Sequence, residues 1–314
     1  TLRPPARESA ALHPSTRGFV SMPEGSVSLV AAAAAAVGAA AVGAAAAYYL
    51  TADGGQSGSK TPASGTGSTT GSSGGVALYE TKKAVNEYLQ FHFGSATDVL
   101  PYSFGPTGAL GFTARCALLC ERHCRALLDI NGELDPPSAL DLGCAVGGAS
   151  FELAKSFELV VGMDYSQHFV DAANTMKAKG SMRYTAQVEG DIEGEFTASI
   201  PEDVEVERVS FVKGDACNLP SKCGPFDAVL AANLLCRLPD PSLLLRRLPS
   251  LVKPGGIVVL VSPYSWLEAW TPKAKWIGAT VGSAGPQPSF QALQEMLQGS
   301  FELVHQEDMP FLIR

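Results

Sequence analysis

The chain has no Cys-x-x-Cys pair, no surplus of positive charge and no G-x-G-x-x-G stretch, and each absence removes a class of protein. Its seven cysteines are odd in number and scattered, which argues against a disulfide framework or a zinc ribbon and points to a reducing compartment. Lysine and arginine total 23 against 31 aspartates and glutamates, a net charge of −8. Phosphate backbones need a basic face, so no nucleic-acid partner is expected and a small molecule is. Charge is also missing locally, with none between Val27 and Leu50, a run long enough to cross a bilayer of roughly 30 Å as a helix. With 46% hydrophobic residues among 314, distributed unevenly, the chain is expected to bury one catalytic-sized domain rather than its whole length.

What is present is Ala139-Leu-Asp-Leu-Gly-Cys-Ala-Val-Gly-Gly148, followed by Leu159-Val-Val-Gly-Met-Asp164. An apolar run that delivers Asp141 into a glycine turn and then a helix is how an open parallel sheet makes a nucleotide cradle. Gly143 and Gly147 let the backbone approach a ligand, and the helix start behind them turns unpaired N–H groups toward it. Asp164 follows roughly twenty residues after the first strand, where a carboxylate can accept ribose hydroxyls. Where a pyrophosphate fingerprint has its second glycine this chain has Ala145. No pyrophosphate is expected, and the ligand is read as S-adenosylmethionine.

Composition divides the rest. Residues 1–26 are rich in Pro, Ser and Arg and are expected to be disordered; Thr1 stands where an initiator Met would, so the chain is read as a fragment or a processed form. Residues 27–50 are read as a single transmembrane or targeting helix. Their alanine content makes them marginal for lipid, and Arg3, Arg7 and Arg17 fit an organelle-targeted soluble protein as the alternative. Residues 51–75 are a Gly/Ser/Thr linker, and 76–314 are the folded domain. The three arginines would place that domain across the membrane from the cytosol. Free thiols and a cofactor made in the cytosol favour the cytosolic face, which is the expectation adopted. The oligomeric state is not legible.

Residues 79–93 pattern as an amphipathic helix placed to lid the crevice, and 112–130 as a second helix. The second carries Cys116, Cys120, His123 and Cys124 along a stripe with Leu119, Leu127 and Leu128; thiols are common core residues, so no metal site is expected. Beyond the glycine turn, apolar runs alternate with helices, interrupted over 182–200 by a β-hairpin. The predicted fold is α/β, a doubly wound, mostly parallel Rossmann-like sheet with a helical lid and a hairpin insertion. Ligands of such sheets sit outside the carboxyl ends of the strands. Asp141, Gly143, Cys144, Ala145, Gly147, Asp164, Tyr165, Ser166, Asp215, Ala216, Cys217 and Asn233 are therefore the candidate cofactor contacts, with Asp215 placed to meet the adenine.

The motifs Asp141-Leu-Gly-Cys-Ala-Val-Gly147, Asp164, Gly214-Asp-Ala216, Asp227 to Asn233 and Lys253-Pro-Gly-Gly256 appear in order, and with them the chain resembles the class I methyltransferase family. Tyr79 to Gly94, Gly214-Asp-Ala-Cys-Asn-Leu-Pro220, Ala231 to Asp240 and Pro263-Tyr-Ser-Trp-Leu-Glu268 make it more specifically similar to the C-terminal methyltransferase domain of ovothiol synthases. That resemblance implies methylation of an imidazole nitrogen of 4-mercaptohistidine. It also implies two departures: the iron-dependent sulfoxide synthase region is absent, and a last antiparallel strand after Arg314 is missing. Methyl transfer from a sulfonium needs positioning above all. His92, Tyr79 and Tyr88 are the candidate bases, and Arg237, Tyr264 and Trp266 the candidate acceptor contacts, for a carboxylate or for stacking on an imidazole. Two other functions fit the sequence: a membrane-associated methyltransferase of a lipid or quinone, and an anchored module that binds the cofactor without turnover.

Overall fold

Short β-branched runs separated by helices fold into one parallel sheet, because strands buried on both faces need crossover helices to cover them. The computed structural model describes residues 27–33, 78–124, 127, 136–283 and 285–313. Its strands are β1 (Val27–Ala33), β2 (Ser138–Leu142), β3 (Leu159–Asp164), β4 (Ser181–Glu189), β5 (Ile192–Ser199), β6 (Val209–Lys213), β7 (Phe226–Ala232), β8 (Val252–Ser262), β9 (Thr280–Gly282), β10 (Gly285–Gln287) and β11 (Phe301–Asp308). Seven of them form a sheet in the order β11-β1-β8-β7-β2-β3-β6, every neighbour parallel. The chain builds outward from β2 through β3 to β6, then crosses back to β7 and β8, so the strand order reverses between β2 and β7. A crevice opens at such a reversal, outside the carboxyl ends of the strands.

The helices are α1 (Lys82–Phe93), α2 (Ala96–Val99), α3 (Phe112–His123), α4 (Gly148–Leu153), α5 (Gln167–Lys179), α6 (Pro241–Arg247) and α7 (Ser289–Leu297). Two apolar cores lie on the two faces of the sheet. One is built by α1, α3, α4 and α5 around Leu89, Phe151, Phe157 and Phe169; the other by α6 and α7 around Leu234, Leu244, Leu293 and Trp266. Strand alternation divides β2 between them, Ala139 facing the first and Leu140 and Leu142 the second. The predicted hairpin is β4 and β5, antiparallel from Ser181 opposite Ser199. It leans on α1, where the Asn86 amide donates to Thr185 Oγ1 at 3.0 Å.

Beside β8 the sheet departs from expectation. Val27–Ala33, the start of the stretch read as a membrane or targeting helix, is a strand between β8 and β11, with Ser28 opposite Ile257 and Val27 opposite Phe301. Pairing on both sides overrides the weak strand propensity of its alanines. Residues 34–50 lie outside the described residues, as do 1–26 and 51–75. Among the described residues no helix is long and apolar enough to cross a membrane. The second helix ends at His123, with the Cys124 N–H closing on Cys120, short of the predicted 130. At the other end of the chain α7 and β11 complete the sheet.

Candidate active site

Asp141 leaves β2 pointing at α4, where its carboxylate accepts from Ser150 Oγ at 2.7 Å. Burial pushes it up to about 6, against the pull of that hydroxyl. The chain then turns through Gly143 (φ 75°), Ala145 (φ 47°) and Gly147 (φ 88°). Three N–H groups staple this turn to the end of β3. Gly143 and Cys144 donate to the Met163 carbonyl at 2.8 and 3.1 Å, and Ala145 donates to Asp164 Oδ2 at 2.9 Å. Asp164 Oδ1 accepts from the Ser166 N–H at 2.9 Å. Burial raises Asp164 to about 7, with the backbone N–H groups of Ser166, Ala145 and Tyr165 opposing. A carboxylate has about four acceptor positions, so with three donors bound one is left for a ligand hydroxyl. Gly147 answers to packing as well as to φ: a Cβ there would lie 2.6 Å from the Phe211 ring. The Cys144 thiol is buried, donates to the Ala145 carbonyl at 3.7 Å and is pushed up by burial, so it stays protonated.

The other cofactor candidates fall along the same strand ends. Asp215 Oδ1 accepts from the Cys217 N–H at 2.7 Å, shaping the turn after β6 around buried Ala216, and partial burial raises its carboxyl. Tyr165 lies beneath Lys213, whose Nζ is 5.9 Å from the ring centre. Ser166 caps α5, accepting from the Phe169 N–H at 3.2 Å. Asn233 sits in the left-handed region (φ 56°), its N–H bound to the Val261 carbonyl at 2.7 Å. Asp227, by contrast, lies at the start of β7 and holds Lys253 (2.9 Å) and the Ser138 hydroxyl (2.7 Å), so it braces the opposite end of the sheet.

The lid closes on this crevice by its N-terminal end. Ser166 Oγ donates to the Tyr79 carbonyl at 3.0 Å, and Glu80 accepts from the Gln167 N–H at 2.9 Å while pairing with the His168 ring. Tyr79 is buried, stacked on Trp270 (centroids 4.9 Å apart) and packed on Phe169 (5.8 Å), which Tyr88 also contacts (4.7 Å). Burial holds both phenols far above neutral pH, so they are neutral hydroxyls in the ligand-free protein. Burial acts on His92 as well. Its Nδ1 accepts from the Gly148 N–H at 3.1 Å, and burial pushes its pKa down to about 3. It caps the first turn of α4.

Arg237, in the turn after β7, is 4% exposed. One Nη donates to the Cys236 and Ser265 carbonyls at 2.8 Å each and the other to Ser265 Oγ at 3.0 Å. Tyr264 is half-buried with φ 49°, and burial raises its hydroxyl to about 12. Trp266 does not join them: its indole N–H donates to Ser289 Oγ at 2.8 Å and its ring stacks on Trp276, inside the core under α7. Trp270, equally buried, is instead the tryptophan that stacks on Tyr79, a residue that sequence reasoning missed because nothing in the spacing of the two tryptophans tells which one meets the lid. Glu80, the latch of the lid, also escaped it. The cysteine stripe on α3 is core, as predicted. Cys116 touches Met309 Sδ at 3.9 Å, Cys124 donates to the Asp227 carbonyl at 3.7 Å, and the described residues contain no metal-ligand cluster.

Residues 140–260, from β2 through most of β8, match the family model described as "Methyltransferase domain". This stretch is a methyltransferase domain, and S-adenosylmethionine is its cofactor. Norajmaline N-methyltransferase of Rauvolfia serpentina is 31% identical over 129 residues, covering 40% of this chain and 36% of that protein. Demethylmenaquinone methyltransferase of Lactococcus lactis is 28% identical over 133 residues, covering 41% of this chain and 43% of that protein. The chain thus spans less than half the length of either relative. Glycopeptide N-methyltransferase MtfA, solved with S-adenosyl-L-methionine, aligns with a TM-score of 0.32 at 17% identity, covering 47% of this chain and 53% of that one.

The residues present fit that cofactor. Asp164 and Asp215 stand at the ends of β3 and β6 with acceptor positions to spare, and buried polar atoms of Tyr79, Asn233 and Arg237 have no hydrogen-bond partner. Orphaned buried polar groups in a native fold call for a ligand or water to satisfy them.

Proposed function

We propose that this protein methylates an imidazole nitrogen of a mercaptohistidine-like small molecule, with S-adenosylmethionine as donor. The observation that carries the reading is the aromatic roof over the strand-end acids, Tyr79 against Trp270 and Phe169. Its lid side, Tyr79, belongs to the stretch whose sequence resembles the ovothiol family, Tyr79 to Gly94. Flat rings suit a flat heteroaromatic acceptor, and the roof keeps water from an electrophilic methyl group.

Asp164, Asp215 and the turn from Gly143 to Gly147 would hold the cofactor, which supplies a sulfonium methyl already activated for attack. A neutral imidazole nitrogen brings its own lone pair, and its surplus proton leaves after transfer, so the protein needs to orient the ring and not to deprotonate it. That accords with a site whose phenols are held neutral and whose histidine is held unprotonated. The test is an assay with labelled cofactor against 4-mercaptohistidine and lipid extracts. Label in the heterocycle is expected; label only in the lipid would replace this reading with a second one.

That second reading, a lipid or quinone acceptor at a membrane, is supported by the uncharged stretch up to Leu50 and by the relative named demethylmenaquinone methyltransferase. On it the domain faces the cytosol, tethered through residues 34–50, since β1 takes the first part of the expected span.

A further inference from the structure

The two ends of the lid helix are fastened in different ways. At the C-terminal end of α1 the fastening is apolar. Leu89 is fully buried, Phe91 packs on Phe112 (centroids 5.7 Å apart) and Phe311 (5.9 Å), and Phe93 packs on Phe151 (6.2 Å). His92 adds its bond to the Gly148 N–H. Just before the N-terminal end the fastening is polar, apart from the seat of Tyr79 on Trp270 and Phe169. Ser166 Oγ donates to the Tyr79 carbonyl. One Glu80 oxygen accepts from the Gln167 N–H at 2.9 Å; the other accepts from the His168 N–H at 3.4 Å and pairs with the His168 ring. The Glu80 side chain is 30% exposed and that of His168 50%, and ion pairs this open to solvent hold weakly.

The hydrogen-bond partners of that end are Ser166, Gln167 and His168, at the start of α5 and directly behind Asp164. Ser166, whose hydroxyl holds Tyr79, gives its N–H to Asp164 Oδ1 at 2.9 Å. Glu80 sits at the positive end of the 13-residue α5, where a carboxylate is favoured. A lid fixed in this way swings about its His92 end when the Glu80 end lets go, and the gap opens over Asp164. We propose that Glu80 is a positioning residue that gates cofactor exchange: α1 pivots at His92 and releases at Glu80, and that release lets S-adenosylmethionine in and S-adenosylhomocysteine out. The inference rests on the methyltransferase reading of the site. The latch is made wholly of protein groups, so it forms with or without the cofactor. Loosening it therefore speeds entry and exit by the same factor and leaves affinity where it was.

The test follows exchange and needs no turnover. Protein loaded with radiolabelled S-adenosylhomocysteine is chased with excess unlabelled compound to give the release rate, and stopped-flow tryptophan emission gives the association rate. In Glu80→Ala both rates are expected to rise at least about tenfold, as loss of a charged hydrogen bond implies, while the dissociation constant moves by less than about threefold. His168→Ala is expected to reproduce part of the rise and to add nothing to Glu80→Ala, because the two substitutions break one contact. Lys83→Ala, which breaks the exposed pair with Glu87 on the same helix, is expected to change neither rate; an equal rise there would mean general fraying of α1 and overturns the proposal. Unchanged rates in Glu80→Ala overturn it whatever the melting temperature does, since a merely structural residue lowers stability without touching exchange. Faster release with unchanged association also overturns it, because Glu80 then contributes to the affinity of the bound state and not to a gate. Failure of the wild-type protein to bind S-adenosylhomocysteine brings down the methyltransferase reading itself, and the proposal with it.

Discussion

His92 Nδ1 accepts the backbone N–H of Gly148 at 3.1 Å, so a half-buried imidazole joins the lid helix to the first turn of the helix behind the glycine loop. We infer that the ring contributes position and not proton transfer. Replacing it by alanine leaves an unpaired N–H and a cavity and is expected to cost about 1–3 kcal/mol of stability. The pH profile of kcat in His92→Ala is expected to keep its shape, falling uniformly if it falls at all. Loss of one limb of the profile would restore His92 to the role of base.

Asp164 gives the ligand-free protein a characteristic pH dependence. Its folded pKa, about 7, lies above the ordinary carboxyl value, so between about pH 4 and 7 the folded state holds a proton that the unfolded chain has released. Stability therefore falls as pH rises through this window, by on the order of 1 kcal/mol per unit, and levels off above it. Asp141, at about 6, adds a contribution of the same sign at the lower end. Urea denaturation at pH 5, 6, 7 and 8 measures the slope, and Asp164→Asn is expected to flatten it between 6 and 7. A slope of opposite sign would show that the carboxylate is ionised in the fold.

Gly147 is held by a ring and by its dihedral. An alanine there must adopt φ 88° and push its Cβ to within 2.6 Å of Phe211. Strain and overpacking together are expected to cost about 3 kcal/mol, a drop in melting temperature of roughly 10 °C for a domain of this size. Phe211→Leu in the same chain should recover part of the loss, which a purely dihedral penalty would not allow.

β1 pairs on both sides, with β8 and with β11. A chain beginning at residue 34 lacks that strand, and both neighbours lose a ladder of backbone hydrogen bonds. Its melting temperature, followed by circular dichroism, is expected to fall by roughly 10 °C or more. An unchanged melt would mean that the strand contributes nothing to the fold.

The parts of this molecule that follow from local pattern were legible in its sequence. Asp141, the glycine turn and Asp164 read as a cradle because strand, turn and acid are consecutive, and the hairpin showed itself by β-rich runs flanking Gly190. Residues 27–33 misled because an uncharged alanine-rich stretch has no period to separate strand from helix; only its partners β8 and β11 decide. Trp266 and Trp270 are alike by composition, and the fold buries the first against Ser289 and turns the second to Tyr79. The orphaned Nε of Arg237 was beyond reach for a different reason, since the lack of a counter-ion is a property of everything folded around a residue.

The central claim is that the turn from Gly143 to Gly147, with Asp164 behind it, holds S-adenosylmethionine. Titration of the purified protein with S-adenosylhomocysteine by calorimetry tests it most directly. One molecule bound per chain in the wild-type protein, and at least about tenfold weaker binding in Asp164→Ala, is the predicted result. Uptake of a nicotinamide or flavin nucleotide in its place, with no heat from the sulfur nucleoside, would contradict the account.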